Sequence, residues 1–554
     1  MSAPRIPQSL QSSQAPVSSG PASALPRRTL LRAGLTTAGF ATAGLTGLVH
    51  APVAAASPAS AGTPFAAPGA PRSGRPRLTH GVASGDPTAN GAVVWARADR
   101  TARMWVEVSR TPDFRRAVTV PGPVLTAQTN HTGRVDLHGL PSGQELFYRV
   151  HLEDPDRHGV RGEALSGRLV TAPRRRRDVR FLWSGDMVGQ GFGSNPDLGG
   201  ITIFDRMRAL APDFFLHSGD SIYADGPLTE SVALPDGRVY RNVVTEEKSR
   251  VAQTLDEYRG QWAYNLLDRN VRAFAAEVPQ VNQWDDHEVH NNWYPGQILD
   301  DDRYTEKRVD VLAARARRAF FEWMPIRTSH RDPEGRVYRK VSYGPLLDVF
   351  VLDMRTYKDP NTPGLETVPD GGVLGWRQLR WLTDGLLKSR ATWKVVANDL
   401  PLGLVVPDGA TAMEGVAQGD PGAPKGRELE IATLLSTLRR HRVDNVVWLT
   451  ADVHYTAAHH YSPDRASFTD FSPFWEFVSG PLNAGAFGPN KLDATFGPEA
   501  VYVHAPPRQG ASPMEGWQHF GEVEIAGDSG ELTVRLRDQE SNVLYARTLT
   551  PGPR

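Results

Sequence analysis

Short runs of alternating apolar and polar residues occupy the chain from residue 91: 91–97, 104–108, 133–137 and 145–150. Each is rich in β-branched and aromatic side chains and bounded by Gly, Pro, Asp or Asn, which is the pattern of short antiparallel strands. They predict an N-terminal antiparallel β-sandwich of the fibronectin/immunoglobulin kind over 77–173. The basic run Arg174–Arg177 follows and reads as a solvated hinge. Beyond it the alternation is replaced by unbroken apolar runs of strand length at 179–183, 213–217, 347–352, 393–397 and 446–450. Stretches with a helical period separate them, at 202–210, 255–276, 309–323, 376–388 and 428–441. Apolar strands between helices are covered on both faces, so 178–554 is predicted to be an α/β domain. Alternation returns at 521–525 and 531–536, predicting antiparallel strands at the end of the chain.

The first 76 residues fit neither pattern. Residues 1–56 contain Arg5, Arg27, Arg28 and Arg32 and no acid, then a glycine-diluted apolar stretch at 33–49 and the small-residue run Pro52-Val53-Ala54-Ala55-Ala56. This order of basic, apolar and cleavable regions is that of a signal peptide, and Arg27-Arg28 before two leucines is similar to a twin-arginine export signal. The apolar stretch falls short of the roughly 20 strongly apolar residues of a membrane span, so no permanent anchor is expected. A Pro/Ala/Gly-rich linker at 57–76 follows. The expectation is a monomer delivered by the twin-arginine machinery, secreted and extracellular or wall-associated.

With 554 residues the chain exceeds what a single core supports, in agreement with more than one domain. Its 62 basic and 62 acidic residues cancel, and without the leader 58 basic face 62 acidic. No basic field is left for tracking nucleic acid. Cysteine is absent, which excludes disulfides, thiolate zinc sites, iron–sulfur clusters and a cysteine nucleophile. Any metal must be held by oxygen and nitrogen.

The polar residues that interrupt the second pattern carry the chemistry. Nearly every buried strand is followed by a carboxylate or imidazole: Asp186, Asp220, Asp285-Asp286-His287-Glu288, Asp353, Asp399, and Asp452 with His454. Ligands of α/β sheets bind at the carboxyl ends of the strands, so these acids are expected to converge on a shared metal site. Alternate residues at a strand end point the same way, which lets Asp452 and His454 both reach it. Arg355 directly follows another strand and offers a fork of donors for the non-bridging oxygens of a phosphate, with pairing to Asp353 or Asp399 as the alternative. His459 and His460 are read as structural.

Four blocks together resemble the signature of the alkaline phosphatase D (PhoD-like) family of the calcineurin-like metallophosphoesterases. They are His217-Ser218-Gly219-Asp220-Ser221-Ile222-Tyr223, Trp284-Asp285-Asp286-His287-Glu288-Val289-His290-Asn291-Asn292, Leu352-Asp353-Met354-Arg355-Thr356-Tyr357 and Thr450-Ala451-Asp452-Val453-His454. Thr79-His80-Gly81-Val82-Ala83-Ser84-Gly85-Asp86-Pro87 resembles the family's N-terminal module, so the likeness runs from about residue 78 to the C-terminus. It implies a four-layer αββα core, two or more metal ions, and hydrolysis of phosphate mono- or diesters by a metal-bridging hydroxide. On the same grounds Asp220 is expected to bridge the metals, Tyr223 to offer a phenolate to Fe3+, Asp286, Asp452 and His454 to be ligands, and His287 to lie beside the leaving group. The family's best-known members carry a cysteine ligand where this chain has Ser184-Gly185-Asp186-Met187, which makes Asp186 the substitute; the wider superfamily's Asp-x-His is also absent. A carboxylate-rich set suits hard cations, Ca2+ first, with Fe3+ a further candidate through Tyr223. The expected function is that of a secreted metal-dependent phosphoesterase. The alternatives are a phospholipase D-like phosphodiesterase and, in another class, an inactive cell-wall or surface binding protein.

Overall fold

The computed structural model describes residues 74–328, 335–368 and 371–552; the segment read as an export signal, 1–56, and most of the segment read as a linker lie outside them. Two large sheets dominate. The nine-stranded sheet runs, in spatial order, Val543–Leu549, Leu532–Asp538, His519–Ile525, Val179–Ser184, Phe214–His217, Gln280–Asn282, Leu78–Thr88, Gly91–Ala98 and Thr132–His138. The seven-stranded sheet runs Arg339–Ser342, Leu347–Val351, Trp393–Ala397, Val446–Thr450, Phe474–Val478, Thr456–Tyr461 and Pro498–His504. The unbroken apolar runs form the parallel centres of both sheets, and the strands with alternating patterns form their antiparallel flanks.

The period of two explains how one run serves two cores. Val349, Val351, Val395, Ala397, Val447 and Leu449 meet Phe181, Trp183, Phe214 and Leu216 in a core between the sheets. Their neighbours Phe350, Val396 and Trp448 point the other way, towards the helices Gly375–Lys388 and Glu428–Arg440. On the far side, Leu182 and Phe215 pack against Ile203–Ala209 and Arg269–Glu277. The order of layers is helix, sheet, sheet, helix. Each fully buried aliphatic side chain contributes about 1.5–3 kcal/mol, so a strand buried on both faces gains nearly twice what an alternating strand gains.

A four-stranded sheet, Val118–Leu125, Ala102–Ser109, Glu145–Glu153 and Leu165–Val170, covers the other end of the nine-stranded sheet. Met104, Val106, Tyr148 and Val150 pack there against Val82, Val94, Ala96, Val135 and Leu137. The sandwich thus borrows one of its sheets from the large one, by way of the pair Gly85↔Gln280. A side chain at Gly85 would place its Cβ 2.5 Å from the Pro325 carbonyl and 2.6 Å from that of Gln280, so the junction requires glycine.

Three local readings change. The helix expected at 255–276 is two, Leu255–Asn265 and Arg269–Glu277, because the Asp268 carboxylate caps the second by accepting from the amides of Asn270 and Val271. The strand Val118–Leu125 escapes the alternation pattern because it is an edge carrying Pro121 and Pro123, and Leu165–Val170 because it is short and interrupted by Gly167. Among the described residues no helix is long and apolar enough to cross a membrane.

Candidate metal centre

Three of the strand-ending aspartates share an unusual backbone. Asp186, Asp220 and Asp452 have φ values of 63°, 49° and 66°, the left-handed region that aspartate tolerates better than most residues. The chain leaves each strand in an abrupt turn. Two of these turns are strapped together, since the amide of Asp186 donates to the Gly219 carbonyl (3.3 Å) and that of Met187 to the Asp220 carbonyl (2.8 Å). Gly219 itself has φ 103°, and a Cβ there would lie 2.4 Å from that of Asp285.

Potential ligand atoms of Asp186, Asp220 and His454 lie within 4.8 Å of one another, as do those of Asp220, Asp286 and His287, and those of Asp285, Asp286 and Asp452. Asp220 belongs to two of these groups. In the first, the Nδ1 of His454 is committed to the Gly485 carbonyl at 2.7 Å, which leaves Nε2 as the nitrogen that faces the group. That nitrogen lies 2.8 Å from the Tyr223 hydroxyl and 3.7 Å from Asp186 Oδ1. Burial holds the His454 pKa down to about 3, so the imidazole is neutral. Asp186 is fully buried, and neither carboxylate oxygen has a hydrogen-bond partner among the described residues. Burial and the Asp285 charge push its carboxyl well above the usual carboxylate range. A buried carboxylate with both oxygens unpaired is costly unless a cation sits on it. Asp186, Asp220 and His454, with the Tyr223 phenol adjoining, form a donor set that could hold a cation, and Asp220 also belongs to the group with Asp286 and His287.

The second side is built differently. Arg355 is fully buried and places Nε 2.5 Å from Asp285 Oδ1 and Nη2 3.3 Å from Asp452 and 3.7 Å from Asp286. Its Nη1 donates to Glu414. With its donors on protein carboxylates and no exposed surface, Arg355 cannot be the phosphate ligand expected from its position; it is an internal counter-cation. Nor are Asp353 and Asp399 its side-chain partners. The Asp353 carboxylate accepts from Trp284, Thr356 and the Arg355 amide, and that of Asp399 from Gln283 and the Met354 amide, so both anchor turns. Burial opposes ionisation of Asp286, but Arg355 and His287 outweigh it and hold this carboxyl well below its usual range.

His287 sits on the open side, its side chain 15% exposed and its ring stacked 4.1 Å from that of Tyr223. Its Nδ1 lies 2.8 Å from Asp225. Burial disfavours the imidazolium, but the carboxylates of Asp225 and Asp286 prevail and raise its pKa to about 10. The expected residues Asp186, Asp220, Tyr223, Asp286, His287, Asp452 and His454 thus converge on one site.

Four further residues were not assigned from the sequence. Asp225 orients His287. Glu288 accepts from the amides of Asp220 (3.1 Å), Ser221 (2.6 Å) and Asp285 (2.7 Å), tying the two ligand-bearing turns together. Glu414 and Lys358 flank Arg355, and burial, aided by Arg355, lowers the Lys358 pKa to about 7. Glu288 stands in the block that carries Asp286 and His287. Glu414 follows a two-residue strand and lies at no long strand's end, so no pattern announces it.

Known proteins provide independent evidence. The PhoD-like phosphatase family model matches residues 181–536, and the model of the PhoD-like phosphatase N-terminal domain matches 63–173. The chain is 29% identical over 440 residues to alkaline phosphatase D of Bacillus subtilis (strain 168), covering 75% of this chain and 70% of that protein. A solved structure of PhoD superposes with a TM-score of 0.65 at 23% identity, covering 87% of this chain and 90% of that one. A purple acid phosphatase from yellow lupin (Lupinus luteus) seeds gives 0.51 at 12% identity, over 86% and 74% of the two chains. At those identities the two structures establish likeness of fold. The chain belongs to the PhoD-like phosphatase family and is a hydrolase of phosphoric esters.

Proposed function

We propose that this protein is a secreted, metal-dependent phosphoesterase of metallophosphoesterase fold that cleaves phosphate monoesters, diesters or both. The observation that carries the reading is the buried Asp186 carboxylate, unpartnered beside the shared Asp220. Asp186, Asp220, Tyr223 and His454 would hold one cation, with Fe3+ suited by the phenol; Asp220, Asp286 and Asp452 would hold the other, with Ca2+ suited by an all-oxygen set. Such a pair of cations supplies Lewis-acid stabilisation of the phosphoryl oxygens and acidifies a water nucleophile.

The chain's own residues do the rest. His287, kept protonated by Asp225 and partly open to solvent, donates a proton to the departing alkoxide, a contribution of ~10²- to 10⁴-fold. Arg355 fixes Asp285, Asp452 and Glu414 and leaves the phosphate to other groups. An inactive surface-binding protein would have no use for an orphaned carboxylate or a protonated histidine.

The test is a hydrolysis panel of monoesters against diesters, phospholipids among the diesters, with and without added Ca2+, on wild type and His287→Asn. The variant is expected to lose far more rate on alkyl than on nitrophenyl esters, whose leaving oxygen needs little protonation. Equal losses would remove the proton-donor role, and protein purified free of metal with no hydrolysis would remove the enzymatic reading. Export is proposed to follow the twin-arginine route, and replacing Arg27 and Arg28 together with lysine should leave precursor in the cytoplasm.

A further inference from the structure

A cleft of about 740 Å³ opens at one end of the sandwich, between the turns at 110–117 and 139–144, and none of its lining residues belongs to the metal centre. Both sheets contribute its floor: Val108, Leu137 and Leu146 are buried beneath it. Val118, on the edge strand at the lip, is 66% exposed.

The rim is charged with one sign. Arg110, Arg115 and Arg116 face a single acid, Asp113, and that acid is occupied by Arg115 at 3.1 Å and by the Thr111 hydroxyl at 2.6 Å. Among the described residues Arg110 and Arg116 have no carboxylate within ion-pair distance. This cationic lip belongs to a chain whose acids outnumber its basic residues once the leader is set aside. The wall that carries it is held in place. Arg149 spans its base, with Nε 2.5 Å from Glu107 and its guanidinium 4.5 Å from the centre of the Phe114 ring.

We propose that this cleft is a second ligand site, remote from the metals, which binds one molecule of an anionic amphiphile. The anionic head lies between Arg110 and Arg116, and a single alkyl chain covers the apolar floor. The volume falls within the roughly 300–1,000 Å³ of sites that enclose one small ligand, which suits a single chain better than a membrane surface. The guanidinium fork selects a phosphate- or phosphonate-type head over a cationic one. The site adds anchorage for an amphiphilic phosphate carrier next to an enzyme that hydrolyses phosphoric esters.

The experiment is calorimetric titration of the whole mature protein with n-hexyl-, n-octyl- and n-decylphosphonate below their micelle concentrations, against inorganic phosphate and n-decyltrimethylammonium. Affinity should rise roughly fourfold for each added methylene. The double variant Arg110→Ala/Arg116→Ala, whose metal centre is intact, should bind the decyl ligand at least tenfold more weakly while hydrolysing a small nitrophenyl ester at the wild-type rate. Val120→Glu, which puts a charge at a half-buried valine that also lines the cleft, should cause a similar loss. Affinity independent of chain length, equal affinity for the ammonium amphiphile, or unchanged binding by the double variant would overturn the proposal.

Discussion

The two sides of the metal centre are made of the same residue type and treat it in opposite ways. Asp186 has no arginine or lysine paired with it, and burial with the Asp285 charge drives its carboxyl up against the pull of His287; Asp286 is nearly as buried, yet Arg355 and His287 hold its carboxyl far down. The difference lies in who supplies the positive charge. Around Asp285, Asp286, Asp452 and Glu414 the fold brings its own counter-cation, Arg355, with Lys358, its pKa lowered to about 7, 3.9 Å from Glu414. Beside Asp186, Asp220 and Tyr223 it brings His287, stacked on Tyr223, whose pull on the Asp186 carboxylate is outweighed by burial and the Asp285 charge. Compensation on the second side is still incomplete, because burial and the charges of Glu414 and Asp285 keep the Asp452 carboxyl above its usual range. On the first side burial prevails over the neighbouring charges, whereas on the second the Arg355 guanidinium prevails at Asp286.

The strongest way to break this comparison is through the residue that belongs to both sides. Asp220→Asn should strip both cations and abolish hydrolysis, a loss on the order of 10³-fold or more. Asp286→Ala should release chiefly one, as elemental analysis of the purified variants would show. Full metal content and activity in Asp220→Asn would end the two-sided account.

Removing the internal cation comes next. Arg355→Ala leaves Asp285 buried without a cation and Glu414 with only the longer contact to Lys358, and breaking such a pair typically costs about 3–5 kcal/mol. The midpoint of denaturant unfolding should fall accordingly, while the cation held by Asp186 and His454 is retained. A variant with wild-type stability and weakened phosphate inhibition would return Arg355 to the substrate-binding role read from its position in the sequence.

That misreading shows what a sequence conveys and what it does not. Strand-end placement follows from local pattern, and it brought Asp186, Asp220, Asp286, Asp452 and His454 to one site because parallel strands deliver their carboxyl ends to a common edge. Which way an arginine points at that edge depends on non-local partners. Glu414, fifty-nine positions from Arg355, takes one of its nitrogens, and nothing in the spacing reveals the contact. The layering was legible for the same reason as the site, since unbroken apolar runs need cover on both faces. The sharing of a sheet between sandwich and α/β region was not, because it rests on one backbone pairing at Gly85. The break between the helices at 255–265 and 269–277 was local and visible in principle, as Asp268 is a capping residue inside an otherwise helical period.

The smallest effect sharpens the comparison most, because it appears as a change of sign. In the metal-free protein Asp186 keeps its proton to a higher pH when folded than when unfolded, where it titrates near 3.8. Above that value the folded state binds more protons than the unfolded one, so stability falls as pH rises, by up to about 1.4 kcal/mol per unit for this one group. Asp286 has the opposite shift: its stabilising contribution is present above the unfolded value and is lost as pH falls through the lower folded value. Chelator-treated Asp186→Asn should therefore melt higher than chelator-treated wild type at pH 8, with a flatter dependence between pH 5 and 8. Chelator-treated Asp286→Asn should melt lower, since the amide forfeits the attraction of Arg355. Metal-loaded wild type should lack the downward slope, because a bound cation keeps Asp186 ionised and stabilises only the folded state. If both amide variants shift the metal-free melting temperature in the same direction, the two sides are electrostatically alike, and the asymmetry drawn from Arg355 is wrong.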